Sequence, residues 1–174
     1  MRKVVFILGG ARSGKSTFAL QEASVIEGKK AFIATAQALD NEMRLRINNH
    51  KEERGETWVT FEEPLDISRI INDLKNSYDV ILVDCLTLWI SNIMHAGFDI
   101  DKTMNEFTDV ISQDCPALLY IVSNEVGMGI VPESEIARTY RDNLGYVNRM
   151  VAEAATDVYF MAAGIPLKIK GLKK

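Results

Sequence analysis

The stretch Gly9-Gly10-Ala11-Arg12-Ser13-Gly14-Lys15-Ser16 decides the fold, because it fits the phosphate-binding pattern G-x-x-x-x-G-K-[ST]. It follows an apolar run at residues 4–8 and precedes a stretch of helical periodicity. In this context backbone N–H groups wrap the phosphates, Lys15 reaches the β- and γ-phosphates, and Ser16 binds Mg²⁺. The sequence therefore predicts a P-loop in which residues 9–16 bind a nucleotide and Lys15 is catalytic.

Short apolar runs alternate with longer helical patterns along the rest of the chain. We predict strands at 4–8, 31–35, 58–61, 80–84, 118–123, 158–161 and 167–170, and helices at 14–27, 38–54, 66–76, 87–95, 101–113 and 133–155. The runs 80–83 and 118–122 are apolar on both faces, which favours burial between two helical layers. The predicted fold class is α/β, a single P-loop NTPase-type domain over residues 1–174 with a mostly parallel sheet flanked by helices.

The end of the chain carries two further structural signals. Gly164-Ile165-Pro166 separates two strand-like segments and predicts a C-terminal hairpin, with the proline placing the second strand at an edge. Before it, a single helical stripe predicts core packing along the last long helix; its members are Ile136, Tyr140, Leu144, Val147, Val151 and Ala154.

Composition excludes several classes of protein. The 174 residues hold 20 Lys and Arg against 24 Asp and Glu, so the net charge is −4, which disfavours general binding to nucleic acid. No run approaches the roughly 20 apolar residues of a membrane span. Cys85 and Cys115 form neither a zinc pattern nor a disulfide framework. We therefore expect a cytoplasmic protein with reduced cysteines.

Asp84 is the candidate partner of Ser16 at the metal. A P-loop enzyme needs a carboxylate at the end of another strand to hold the Mg²⁺ that accompanies GTP or ATP, and Asp84 closes the apolar run 80–83. The alternative is an aspartate that only ends a strand or caps a helix. Cys85, the next residue, is interpreted as a small buried apolar side chain.

The chain contains two histidines, His50 and His95. His95 follows a helix-like stretch and is typical of a residue that caps a helix C-terminus. His50 shares one helical face with Met43, Ile47 and Arg54. Spacing alone leaves His50 open to a structural or a chemical role.

Several segments in order resemble the bifunctional adenosylcobinamide kinase/adenosylcobinamide-phosphate guanylyltransferases of cobalamin nucleotide-loop assembly. The resemblance runs nearly end to end and rests on the P-loop together with Ile33-Ala34-Thr35-Ala36, His50-Lys51 with Arg54, Trp58, Glu62-Glu63-Pro64, Asp84-Cys85-Leu86-Thr87-Leu88-Trp89, the stretch Ser123-Asn124-Glu125-Val126-Gly127-Met128-Gly129-Ile130-Val131-Pro132-Glu133, and Arg138, Arg141-Asp142 and Asn148. A P-loop alone matches many unrelated proteins. This order of segments is far more specific.

The resemblance implies an enzyme of two steps. A triphosphate first phosphorylates the aminopropanol hydroxyl of adenosylcobinamide, and GTP then gives its GMP to the product through a GMP-histidine intermediate, with His50 as the matching nucleophile. It also implies a homotrimer and a nucleotide site that includes Ala34, Thr35, Ala36 and Glu62, with Glu62 as the end of an exposed strand as the alternative. The predicted nucleotide site further includes Lys51, Glu52, Glu53 and Arg54, because Lys51 and Arg54 are suited to hold phosphate oxygens; the alternative for these two is an exposed basic face. Gly55 stands where family members commonly have proline, which predicts a less constrained end of the His50 helix.

Two other functions remain open at this stage. One is a P-loop kinase of another small hydroxyl compound, with His50 in a structural role. The other is a nucleotide-binding regulatory ATPase whose output is a conformational change. Covalent labelling by GTP distinguishes the family's chemistry from both.

Overall fold

The computed structural model describes residues 3–37 and 57–171. The predicted helix 38–54, with His50 and residues 51–54, lies outside the described residues. The strands are β1 (Val4–Gly9), β2 (Lys30–Ala34), β3 (Trp58–Glu62), β4 (Val80–Asp84), β5 (Leu118–Asn124), β6 (Asp157–Ala162) and β7 (Ile165–Lys170). The helices are α1 (Lys15–Ser24), α2 (Ile67–Leu74), α3 (Leu86–His95), α4 (Ile100–Ser112) and α5 (Glu135–Ala154).

The strands form a seven-stranded sheet in the order β3-β2-β4-β5-β1-β6-β7. In this spatial order, each of the first six strands is parallel to its neighbours among them. The last two, β6 and β7, form an antiparallel hairpin at one edge of the sheet. The α/β class, the mostly parallel sheet and the C-terminal hairpin are therefore confirmed. The parallel pairing brings the ends of β1, β2, β4 and β5 to one edge, where ligands of open α/β sheets bind.

Two apolar layers hold the helices on the sheet. On one face Ala19 and Ala23 of α1 pack against apolar side chains of the strands. The other face is covered by apolar residues of α2, α3, α4 and α5, including Ile67, Trp89 and Phe107. Residues 80–83 are all buried, as a strand covered on both sides requires.

Buried polar links fix α3 beside the sheet. Trp89 is fully buried, and its indole N–H donates to the carbonyl of Leu65 at 2.7 Å. The Asn92 amide donates to the carbonyl of Thr35 at 2.8 Å. Both links join α3 to segments that follow other strands, so they fix α3 against the edge of the sheet where β2 and β3 end.

The stripe predicted for the last long helix is partly wrong. Leu144, Val147 and Val151 are fully buried, but Ile136 is 65% exposed. Ile136 lies in the first turn of α5, away from the buried middle of the helix, where it lines a second cavity beside the end of α3. Helical spacing predicts which residues share a face, but it does not predict how far the covered part of that face extends.

Within residues 3–37 and 57–171, no helix combines the length and apolar character that crossing a membrane takes.

Candidate active site

A cavity of 410 Å³ opens at the edge of the sheet where the parallel strands end. The P-loop and the first turn of α1 form one wall, and the ends of β2, β4 and β5 with the start of α3 form the others. Its lining residues are Ala11, Arg12, Ser13, Gly14, Lys15, Ser16, Thr17, Phe32, Ala34, Ala36, Asp84, Cys85, Thr87, Leu88, Val122 and Asn124. Six of the eight predicted P-loop residues face this cavity.

The P-loop backbone is shaped by residues that adopt left-handed conformations. Gly14 caps the N-terminus of α1 with a φ of 86°, and Arg12 has a φ of 56°. At Gly9 a side chain would place its Cβ 2.5 Å from the carbonyl oxygen of Met161, so only glycine allows β1 to approach β6 this closely. The hairpin supports the loop from outside, because Gly164 donates its N–H to the carbonyl of Ser13 at 3.2 Å.

Lys15 is positioned by the loop itself. Its Nζ donates to the carbonyl of Gly10 at 2.6 Å, and the residue is only 7% exposed. Burial lowers the pKa of the ammonium below its ordinary value, while the negative charge of Asp84 opposes that shift. The arrangement keeps a partly desolvated cation in the cavity wall, where it would interact strongly with phosphate oxygens.

Ser16 and Asp84 line the same cavity. Together they offer a hydroxyl oxygen and a carboxylate oxygen, which is the donor chemistry that Mg²⁺ takes when phosphates and water complete its coordination. The chain therefore fits a Mg²⁺ ion held by these two residues. Asp84 is not the N-cap of α3, since Cys85 occupies that position, so one of the alternatives for Asp84 is excluded.

Cys85 and Thr35 join the ends of β4 and β2. The hydroxyl of Thr35 donates to the carbonyl of Cys85 and accepts from its N–H, each at 2.8 Å. Burial raises the pKa of the Cys85 thiol to about 11, and the charge of Asp84 adds to the effect. The thiol is therefore protonated at neutral pH, in agreement with its interpretation as a small apolar side chain.

The other residues predicted for the nucleotide site take different positions. Ala34 and Ala36 line the cavity, whereas Thr35 between them is fully buried. Glu62 is exposed and lies opposite Ala34 in the β2–β3 register. His50, Lys51, Glu52, Glu53 and Arg54 lie outside the described residues. The roles of all these residues in binding stay predictions.

Asn124 and Thr87 also line the cavity. The sequence placed Asn124 toward the site, after a strand, but it did not single out Thr87 as a binding residue. The signal in the sequence was that Asn124 directly follows the predicted strand 118–123 and that Thr87 lies three residues after the predicted strand 80–84. That signal is weak until the strand order is known, because it does not tell which strand ends meet at the phosphates.

Comparison with known proteins decides the family. The family described as cobinamide kinase / cobinamide phosphate guanyltransferase, CobU, matches residues 5–169. The chain belongs to this family. The CobU resemblance inferred from the motifs is thereby confirmed, and with it the expectation of a bifunctional kinase and guanylyltransferase of cobalamin biosynthesis.

Two CobU-family relatives align over almost their whole length. The chain is 40% identical to the bifunctional adenosylcobalamin biosynthesis protein CobU of Escherichia coli (strain K12), covering 96% of this chain and 99% of the relative. It is 38% identical to the bifunctional adenosylcobalamin biosynthesis protein CobP of Pseudomonas aeruginosa, covering 95% of this chain and 96% of the relative.

The fold is shared more widely than the CobU family. An ATPase from the type III secretion system of pathogenic bacteria superposes with a TM-score of 0.54 at 9% identity, covering 95% of this chain and 56% of that chain. At this identity the likeness concerns the fold alone. It agrees with the P-loop NTPase-type architecture.

Proposed function

We propose that this enzyme phosphorylates the aminopropanol hydroxyl of adenosylcobinamide and then transfers GMP from GTP to the phosphorylated product. The observation that carries the proposal is the cavity in which Lys15, Ser16 and Asp84 meet, in a chain that belongs to the CobU family. Such a cavity binds a triphosphate and neutralises the charge that develops during phosphoryl transfer.

In the first step the cobinamide hydroxyl oxygen bonds to the γ-phosphorus, and the bond from that phosphorus to the bridging oxygen breaks. The hydroxyl proton goes to water, and the nucleoside diphosphate leaves. The P-loop N–H groups and Lys15 hold the β- and γ-phosphates during this exchange. Ser16 and Asp84 would hold a Mg²⁺ ion, which would supply further positive charge to the triphosphate.

In the second step a nitrogen of His50 bonds to the α-phosphorus of GTP while pyrophosphate leaves. A phosphate oxygen of the cobinamide phosphate then attacks the same phosphorus, the N–P bond breaks and the imidazole is regenerated. An unperturbed imidazole has a pKa of about 6.5, so most molecules carry a free lone pair at pH 7. Residues 51–54, Ala34, Thr35, Ala36 and Glu62 complete the nucleotide site, with the Glu62 carboxylate available to accept from guanine N–H groups.

The test follows the two products separately. The purified protein is incubated with MgATP or MgGTP and adenosylcobinamide, then with further GTP, and the corrinoids are identified by mass spectrometry. We expect adenosylcobinamide phosphate first and adenosylcobinamide-GDP second. Hydrolysis without transfer would support the regulatory ATPase, and phosphorylation of small alcohols but not of cobinamide would support the alternative kinase.

Replacing Asp84 with asparagine is expected to raise the Mg²⁺ concentration needed for half-maximal kinase activity at least about tenfold, because a neutral amide binds Mg²⁺ more weakly than a carboxylate. The measurement is a Mg²⁺ titration of the initial rate at saturating nucleotide. Asp101→Asn, on the exposed first turn of α4, is the matched control and should leave the titration unchanged. An unchanged midpoint in Asp84→Asn would remove Asp84 from the metal site.

We further propose that the enzyme works as a homotrimer in the cytoplasm. Ile165, Leu167 and Ile169 alternate along β7 and so share one exposed apolar face, and such an apolar stripe on the edge strand supports association. Met128 and Ile130 are exposed in the loop after β5. The two free cysteines, Cys85 and Cys115, suit a reducing compartment. Light scattering should give a molar mass three times the 19.5 kDa of one chain.

A further inference from the structure

The strand β5 lies between the two strands that carry the phosphate-binding groups. On one side it pairs with β1, with Asn124 opposite Gly9 at the start of the P-loop. On the other side it pairs with β4, with Val122 opposite Asp84. Asn124 is two residues beyond Val122, so it lies about 7 Å further toward the open edge than the level of Asp84. A side chain there lines the same cavity as Lys15 and Asp84.

Both backbone groups of Asn124 are held in place. Its N–H donates to the hydroxyl of Thr87 at 2.8 Å, and its carbonyl accepts from the amide of Asn148 at 3.0 Å. Thr87 is 9% exposed on α3 and Asn148 is 5% exposed on α5. The strand end is therefore fixed from two helices at once, which restricts the side chain to the cavity that it lines.

The side chain of Asn124 itself makes no hydrogen bond to another residue of the described ranges 3–37 and 57–171. An amide offers two donor hydrogens and one acceptor oxygen, and it is neutral. Its amide group is available to a ligand in the cavity. The P-loop N–H groups and Lys15 already supply donors on the opposite wall, so an amide here would complete the donor set around a terminal phosphoryl group.

Asn148 is a buried polar side chain on α5. Its Oδ1 accepts no hydrogen bond from the described residues, although the side chain is almost completely removed from water. A buried polar atom without a partner is unfavourable for stability, and an apolar side chain would avoid that cost. The contribution of Asn148 is the bond that it donates to the carbonyl of Asn124. Tyr140 adds a second link from α5, because its hydroxyl donates to the carbonyl of Thr87 at 3.1 Å.

We propose that the Asn124 amide donates a hydrogen bond to the γ-phosphoryl group of the bound triphosphate, and that Thr87 and Asn148 are positioning residues for it. This inference rests on the proposed function, since it assigns a residue to the kinase step. Asn124 exchanges no proton there. It stabilises the charge on the γ-phosphoryl oxygens while the bond to the acceptor oxygen forms and the bond to the bridging oxygen breaks. A diphosphate lacks this group, so Asn124 also discriminates between triphosphate and diphosphate.

The test compares binding of a non-hydrolysable ATP analogue with binding of ADP, both with Mg²⁺, by calorimetry. In Asn124→Ala we expect the preference for the triphosphate analogue over ADP to fall about tenfold and the kinase kcat to fall about 10- to 100-fold. Asn124→Asp keeps the size but adds negative charge, so it should weaken the analogue more than alanine does. Asn148→Leu should lower kcat with a smaller change in binding.

The control is Asn143→Ala, on the same helix α5 but bonded to the sulfur of Met94 and outside the cavity. It should keep the wild-type preference and kcat. The folding of Asn124→Asp is first checked by circular dichroism. If this variant is folded like the wild type and keeps the wild-type preference for the triphosphate analogue over ADP, the inference is overturned. The proposed function is tested separately, because a wild-type protein that phosphorylates no cobinamide would refute it. Even then, a preference for the triphosphate analogue over ADP that is lost only in the Asn124 variants would support the contact to the γ-phosphoryl group.

Discussion

Replacing Lys15 with methionine is expected to lower kcat/KM of phosphoryl transfer about 1000-fold or more, and guanylyl transfer by a similar factor. Lys15 is buried in the cavity wall, and its ammonium is held at 2.6 Å from the Gly10 carbonyl at the phosphate-binding edge. The charge it offers is already partly removed from water, so it interacts with transferring phosphates more strongly than an exposed lysine would. Methionine keeps the length of the side chain and removes that charge.

The thermal stability of Lys15→Met distinguishes a loss of activity at the site from a loss caused by unfolding. Burial lowers the pKa of Lys15 in the folded protein, so at neutral pH the charged side chain costs free energy of folding, a cost that disappears only as the pH rises toward its ordinary pKa. Lys15→Met should therefore unfold at the same temperature as the wild type or higher, while losing both activities. The matched control is Lys30→Met, because the Lys30 ammonium contacts the Ser24 carbonyl on the surface. This variant should keep both activities. A Lys15→Met enzyme within tenfold of wild type would contradict the assigned role.

The sequence predicted the described elements well where their chemistry is local. Strands such as 80–84 are apolar on both faces, so burial between helices follows from the residues themselves. The sequence signal of the P-loop is equally local, because its glycines, lysine and serine all stand within eight positions. The predicted ends were displaced by one or two residues in most elements, as expected where a strand ends in polar residues such as Asn124.

What the sequence did not reveal depends on contacts between distant segments. Nothing local states that β5 lies between β1 and β4, and this strand order brings Asn124 into the cavity beside the P-loop. Thr35 illustrates the same limit, because nothing in the sequence indicates that its hydroxyl bonds to the backbone of Cys85, 50 positions away. Ile136 follows the helical stripe and yet lies at the exposed end of α5.

Replacing His50 with alanine is expected to abolish covalent labelling by GTP while leaving the kinase step within about twofold of wild type. The imidazole is the proposed nucleophile at the α-phosphorus, and removal of a nucleophile lowers such a transfer by about 1000-fold or more. The protein is incubated with Mg²⁺ and GTP labelled at the α-phosphate, denatured and counted. Wild-type label should be labile in acid and stable in alkali, as an N–P bond to histidine is.

His95→Ala is the matched control for this experiment, since the chain contains two histidines. The Nδ1 of His95 lies 2.7 Å from the Ser91 carbonyl at the end of α3, and the residue does not line the phosphate cavity. Its variant should be labelled like the wild type. If the label were retained in His50→Ala and lost in His95→Ala, the nucleophile would be His95 and not His50. Loss of label in His50→Ala with normal kinase activity would separate the two chemistries, because in the proposed mechanism both steps use the P-loop and only the transfer of GMP requires the imidazole.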